Sequence, residues 1–415
     1  MLIKITGRTG EVTELEYPDG DTVLRPDFLH GITAKTMVKE IVVPEGIRTL
    51  ADEVFMGLRF LEKVHLPDTI GIIGNNAFCE CESLTEINIP KRVGSIGESA
   101  FRNCEKLEAI NLYKCHASQI QAHTFDGCKA LKDVSLPKEL YVICDGAFHS
   151  CYNLEFIMIP ESTFAIGAKA FYDCVKLKHF SLPSNITKVG KDAFTDTKYW
   201  TNKDNYINGI LWNNDVILDG SKYKKPVLKI HKGNQVVFAD ECFAYNKKLV
   251  DVYISCPNVE VGEGAFRSSS VLLFQINTGE EIAPKEEGVI VIGKQAFKRS
   301  EISVIRICSN SFCAHKEAFW VIGIDELDIR TKSFTLDTDA ISNIHIKNLT
   351  LEDNMVMVNV EDDCSQNTTF DSIAIIKRKK SRKSIVCEIT KETFNVPDID
   401  FFHEIVTGLC KDNEE

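Results

Sequence analysis

No run of about 18 apolar residues occurs anywhere in the 415-residue chain, which leaves no candidate for a transmembrane helix. Basic residues are in deficit, 48 Lys and Arg against 60 Asp and Glu, for a net charge of −12. Binding to phosphates needs a basic surface, so neither nucleic acid nor attachment to anionic lipid is expected. Residues 1–10 contain no apolar core and no small-residue cleavage site of the kind a secretory leader needs, so the chain reads as cytoplasmic. Catalytic and cofactor signatures are missing too. Gly262-Glu263-Gly264 is an isolated G-x-G without a dinucleotide fingerprint, and Cys79-x-Cys81 has no second pair at zinc-ligand spacing. No cofactor or metal is expected.

A disulfide framework is also absent, although there are 15 cysteines. The number is odd and the spacing is not that of a small stapled domain. Five of them, Cys81, Cys104, Cys128, Cys151 and Cys174, occupy a single recurring position where Leu58 stands first. Exchange of Leu with Cys predicts a site for a small or medium apolar side chain, hence buried free thiols.

That recurring position belongs to a repeat. Phe55, Phe78, Phe101, Phe125, Phe148, Phe171 and Phe194 are spaced 23, 23, 24, 23, 23 and 23 residues apart. Ala77, Ala100, Ala147, Ala170 and Ala193 precede five of them, and a proline follows at twelve residues in all but one period, where Tyr113 replaces it. Such self-similarity identifies a solenoid in which each unit stacks on the next. Each period carries L-x-x-L-x-L, as in Leu84-x-x-Ile87-x-Ile89 and Leu131-x-x-Val134-x-Leu136, whose last two apolar residues alternate like a half-buried strand. In place of the Asn that usually follows there is Pro and then an Ile/Val-Gly step: Ile73-Gly74, Ile96-Gly97, Ile166-Gly167 and Val189-Gly190.

This variant resembles the BspA-type leucine-rich repeats of bacterial surface antigens, over roughly residues 32–330. The resemblance implies a right-handed leucine-rich-repeat solenoid. A parallel β-sheet would form one face, with short strands, turns, 3-10 or helical segments on the other. It also implies binding to other proteins or to host surfaces, which makes a cell-surface adhesin the alternative to the cytoplasmic reading.

Along the chain, residues 1–31 predict a β cap with a hairpin around Gly7-Arg8-Thr9-Gly10, and 32–194 the regular repeats. Residues 195–226 read as an inserted hairpin rich in Trp200, Tyr206 and Trp212, with a turn at Asn213-Asn214. These aromatics suit either a binding protrusion or, as favoured here, a clip packed on the solenoid. The beat resumes at Phe243, Phe266, Phe297 and Phe319 in less regular repeats over 227–346, with an eight-residue excess near Thr278–Gly288. Residues 347–415 lack the pattern and predict a C-terminal cap. It would comprise a hairpin around the basic run 377–383 and a helix from Asp398 with Ile399, Phe402, Val406 and Leu409 on one face.

Residues alternating with the apolar pair of each strand point onto the sheet face. Those columns read Lys63/His65, Glu86/Asn88, Ala109/Asn111, Asp133/Ser135, Phe156/Met158, His179/Ser181 and Asp251/Tyr253. Phe156 and Met158 are the apolar exception and the candidate anchors for a protein partner. Glu86, Asp133, His179 and Tyr253 are candidate contacts around them. His65, His179, Asp133 and Ser135 fall in different rows and form no nucleophile–base–orienter set, so the chain is read as a non-enzymatic binding protein. An enzyme or nucleic-acid-binding protein using the C-terminal module is the alternative from another class. Oligomeric state is not legible.

Overall fold

The computed structural model describes residues 1–31, 37–278, 288–321, 323–337, 339–341, 344–352, 356–360, 369–379 and 388–394. The chain divides into two compact units, Met1–Tyr206 and Ile207–Glu415. Both are leucine-rich-repeat solenoids of parallel strands.

In the first unit each repeat makes two very short strands. One carries the L-x-L segment: Lys63–His65, Glu86–Ile87, Ala109–Asn111 and Asp133–Ser135. The other carries the residues before the Gly step: Ile72–Ile73, Ser95–Ile96, Gln119–Ile120, Val142–Ile143, Ala165–Ile166 and Lys188–Val189. Pairing is parallel and joins like positions of successive repeats, Val142 to Ala165 to Lys188. Along the second set, the ladder lapses between Ile96 and Gln119, across the single 24-residue period.

What does not lapse is the phenylalanine column. All seven rings from Phe55 to Phe194 are less than 2 % exposed. Neighbouring centroids lie 5.0, 5.1, 5.5, 5.3, 5.2 and 5.1 Å apart, with nearly parallel planes from Phe78 onward. Each such pair contributes roughly 0.5–1.5 kcal/mol beyond simple burial. Phe28 closes the first end edge-on at 5.9 Å from Phe55, while Phe180 stacks on Phe194 at 4.2 Å and is covered in turn by Tyr199 at 4.8 Å. At the start of the unit, Leu2–Gly7 and Val12–Glu16 form an antiparallel hairpin, and Leu2–Gly7 pairs antiparallel with Val38–Val42.

The backbone around each Phe is forced into a narrow channel. Two residues before it and two after it the chain is left-handed, at Asn76 and Glu80, Ser99 and Asn103, Lys169 and Asp173, and Asp192 and Asp196. The Gly step four residues before the Phe answers a different need. A Cβ on Gly97 or Gly190 would sit 2.5 or 2.4 Å from a backbone nitrogen of the preceding turn, so at these steps glycine permits the close approach.

The cysteine position does more than fill space. Each thiol donates to the carbonyl of the preceding repeat's phenylalanine: Cys81 to Phe55 at 3.2 Å, Cys104 to Phe78 at 3.2 Å, Cys128 to Phe101 at 3.1 Å, Cys151 to Phe125 at 3.2 Å and Cys174 to Phe148 at 3.0 Å. Burial pushes the thiols of Cys81, Cys104, Cys128 and Cys151 far above the ordinary range, so they stay protonated donors. In later turns the same position holds Thr197, Asn246, Ser269 and Ser300, all buried and all able to donate. The sequence reading of a merely apolar site is therefore incomplete. None of the twelve described cysteines is in a disulfide.

The second unit contains a turn that the sequence hides. Ile210–Asn213 and Val216–Asp219 form an antiparallel hairpin, turning at Asn214 and Asp215, one residue later than expected. Val216–Asp219 also pairs parallel with Gln235–Phe238 and so begins a ladder. Gly220 then occupies the phenylalanine position. Its N–H donates to the carbonyl of Cys242, as Phe55 does to Ala77, and Asn246 donates to its carbonyl at 3.0 Å just as the thiols do. Any side chain there would strike the Phe243 ring, 2.1 Å from the Cβ position.

From here two parallel ladders run side by side. One passes through Asn258–Val261, Val289–Ile292, Ser311–Ala314 and Ser333–Leu336, the other through Val227–His231, Asp251–Ser255, Leu273–Ile276, Val304–Cys308 and Gly323–Arg330. Phe243, Phe266, Phe297 and Phe319 stack at 5.5, 5.4 and 5.8 Å, and Phe274 meets Phe266 and Phe297 edge-on. The ladders do not stop at 346, where the sequence pattern fades. Val356–Val360 and Thr369–Lys379 extend them in parallel, and Glu388–Phe394 then turns back antiparallel. The expected closing helix and residues 380–387 of the basic turn lie outside the described residues.

Two expectations test this packing. If the thiol acts as a donor, Cys128→Ser should be more stable than Cys128→Ala by about 0.5–1.5 kcal/mol, because Ala removes one of the two donors to the Phe101 carbonyl and leaves only the Cys104 N–H. A purely apolar site would reverse that order in urea unfolding. Glu260 supplies the second. Its strand lies between those of Val237 and Val291, and burial pushes its carboxyl up to about 7. A raised acid stabilises the fold only while protonated, so stability should fall as pH rises from about 4.5 through 7. Glu260→Gln should match wild type at pH 4 and exceed it at pH 8 by roughly 1–3 kcal/mol, measured by urea unfolding at each pH.

Candidate interaction surface

The strands Lys63–His65 to Asp133–Ser135, followed by the in-phase residues 156–158 and 179–181, present the outward columns of the first unit. Their inward partners Val64, Ile110, Ile157 and Phe180 are buried, so alternation places residues 63, 86, 109, 133, 156 and 179 on the opposite side. Exposed ion pairs join successive rows both in these columns and at the position just before them. Lys63 meets Glu86 at 3.0 Å, Lys132 meets Glu108 at 2.8 Å and Lys178 meets Glu155 at 2.8 Å. Lys63 holds the Glu86 carboxyl below its usual range, and Lys178 does the same to Glu155. Such exposed pairs fix side-chain directions more than they stabilise the fold.

Phe156 and Met158 break this pattern. They are 52 % and 70 % exposed, and no other outward column of the unit carries two large apolar groups in one row. Phe156 pairs parallel with His179 across a single bridge, so His179 is its immediate neighbour in the next row. On the other side the ladder ends, because Asp133–Ser135 pairs only with Ala109–Asn111. An open depression of about 510 Å³ occupies this lapse, lined by Lys132, Asp133 and Ser135 on one side and by Asn153, Glu155 and Phe156 on the other. The depression thus joins an aromatic wall to carboxylates and a lysine within one small region.

Asp133, Phe156 and His179 are therefore brought together, with Met158 in the same row as Phe156. Glu86 lies rows away, paired to Lys63. Tyr253 belongs to the second unit, half-buried with the Lys229 ammonium 5.7 Å from its ring centre. Trp200, Tyr206 and Trp212 are half-buried and divided between units. Trp200 lies in the short helix Lys198–Thr201, which Thr197 caps by accepting from its N–H at 3.1 Å, and Tyr206 ends the first unit. Trp212 stands in the second unit under the Lys232 ammonium at 5.3 Å and helps line a depression of about 540 Å³ with Tyr223, Lys229 and His231. Lys132, Asn153 and Glu155 went unnoticed in the sequence because the lapse in the ladder leaves no mark in the repeat. Among the described residues, no helix is long and apolar enough to cross a membrane.

Comparison with known family models finds the same repeat over residues 33–204. The family model described as "BspA type Leucine rich repeat region" matches in six copies, over residues 33–118 and 114–204. No curated protein matches the chain. Among solved structures, the chain is similar to a leucine-rich repeat protein from Bacteroides ovatus, with 19 % identity over 86 % of this chain and 98 % of that one, at a TM-score of 0.43. A leucine rich cell surface protein from Faecalibacterium prausnitzii has 16 % identity over 87 % and 92 % of the two chains, at 0.36. A leucine-rich repeat protein of T. pallidum has 22 % identity over 49 % and 75 %, at 0.31. Residues 33–204, with their column of stacked phenylalanines, are similar to the BspA-type leucine-rich repeat region.

Proposed function

We propose that this is a non-enzymatic binding protein that takes a protein partner on the sheet face of its first unit, with Phe156 and Met158 as anchors. The observation that carries the reading is the exposure of these two side chains, 52 % and 70 %, on a face whose other outward columns are mostly polar. Burying them against a partner removes apolar surface from water at no folding cost, because neither belongs to the core. The depression beside Phe156 offers Asp133, Glu155 and Lys132 as polar contacts around the anchor. This is the arrangement of an apolar centre with a charged rim. His179 flanks the other side.

A double substitution, Phe156→Ser with Met158→Ser, tests the proposal. Partner capture should weaken by about 30-fold or more, the scale of losing a pair of hot-spot residues. Unfolding stability should change by less than about 0.5 kcal/mol, as for surface positions generally. Unchanged capture would overturn the proposal, and a double variant that unfolds would show that these side chains serve the core. Surface protease shaving of the source organism decides where to seek the partner. Protection would direct the search to intracellular proteins, and loss of the protein would direct it to extracellular or host ones.

A further inference from the structure

The second unit brings together three side chains that the sequence keeps apart. Cys313 and His315 stand two residues apart at the end of the strand Ser311–Ala314, and both project from the face opposite the buried Phe312 and Ala314. The next rung is in register, with Cys313 opposite Thr335 and Ala314 opposite Leu336, so Asp337 falls beside His315. The His315 Nδ1 lies 2.6 Å from the Asp337 Oδ2. One ligand atom from each of Cys313, His315 and Asp337 lies within 4.8 Å of the other two.

We propose that Cys313, His315 and Asp337 form a binding site for a divalent transition-metal ion, zinc in the first instance. One thiolate, one imidazole and one carboxylate make a mixed donor set that suits zinc and excludes magnesium and calcium, which take oxygen ligands. Zinc bonds of about 2.0–2.3 Å place tetrahedral ligands roughly 3.3–3.8 Å from one another. The observed spacing reaches that by small side-chain rotations, with the His315–Asp337 contact opening as both turn to the ion. The fourth position faces solvent, because the His315 and Asp337 side chains are 45 % and 40 % exposed.

The surroundings leave the site accessible, and a cation bound there takes the thiol as thiolate with release of its proton. Ile292 pairs with Ala314, so Gly293, which has no side chain, stands beside His315 in the preceding rung. The nearby Lys316 ammonium is drawn to Asp339 at 3.7 Å.

Cobalt(II) added to the full-length, chelator-treated protein tests the site. The expected result is a thiolate-to-cobalt charge-transfer absorption that saturates at one equivalent and is bleached by zinc. Cys313→Ser should abolish it, while His315→Gln and Asp337→Asn should each weaken zinc binding about tenfold or more. Circular dichroism should be unchanged in all three. Absence of the charge-transfer band at excess cobalt would overturn the proposal, as would its persistence in Cys313→Ser, which would place the metal on other thiols. Using three independent variants keeps the test decisive if one of them fails to fold.

Discussion

Everything in this protein depends on one distance matched twice. Parallel strands joined by backbone hydrogen bonds sit about 4.8 Å apart. Offset phenylalanine rings stack at 5.0–5.5 Å in the first unit, close enough to share that rise. A turn that keeps its ring above the previous ring therefore keeps its strands in register without further instruction. The remaining features of the repeat serve this match. Where it occurs, the glycine step removes a Cβ that would meet the turn before, the alanine before most of the Phe residues leaves room for the ring, and the thiol ties its turn to the carbonyl of the one before. Where the ladder lapses between Ile96 and Gln119, the Phe101–Phe125 pair still stacks at 5.5 Å, so the ring column carries the solenoid across the gap.

The second unit meets the same constraint with a different emphasis. Its strands are longer, up to the eleven residues of Thr369–Lys379, and each contributes more backbone bonds per turn. The ring column persists beside them, Phe243, Phe266, Phe297 and Phe319 stacking at 5.5, 5.4 and 5.8 Å, with Phe238 tilted and Phe274 edge-on against it. The longer backbone pairing explains why the 23-residue beat weakens from Phe243 onward while the ladders persist. Backbone pairing is blind to side-chain identity, so a ladder built mainly from it leaves a fainter trace in sequence than one built around a ring.

That difference sets what could be read beforehand. The fold class and the regular repeats were legible because the same residue types recur where a buried ring, a close approach or a half-buried strand requires them. The outward direction of Phe156 and Met158 followed from the same phase. Three things were not legible. The thiol's role depends on where an S–H points, and Leu58 in the first repeat disguised the position as apolar. The turn at Gly220 was hidden because the Phe243 ring takes the space its own side chain would have needed. The continuation past 346 was invisible because Val356–Val360 and Thr369–Lys379 keep the pairing without the motif.

The surface chemistry follows from the register as directly as the core does. A side chain on one turn lies beside the side chain one period away, so contacts join residues far apart in sequence: Lys63 to Glu86, Asp126 to His149, His315 to Asp337. Most such pairs are opposite charges that neutralise one another, and these make a quiet surface. Chemistry emerges where a column departs from that habit. A Cys-x-His on one strand facing Asp on the next gathers three metal-binding donors, and Phe156 with Met158 at a lapse in the ladder leaves apolar surface that no neighbouring turn covers. In a protein whose frame is fixed by stacked rings, substituting outward residues costs the fold little, which is how a single repeat can carry unrelated sites.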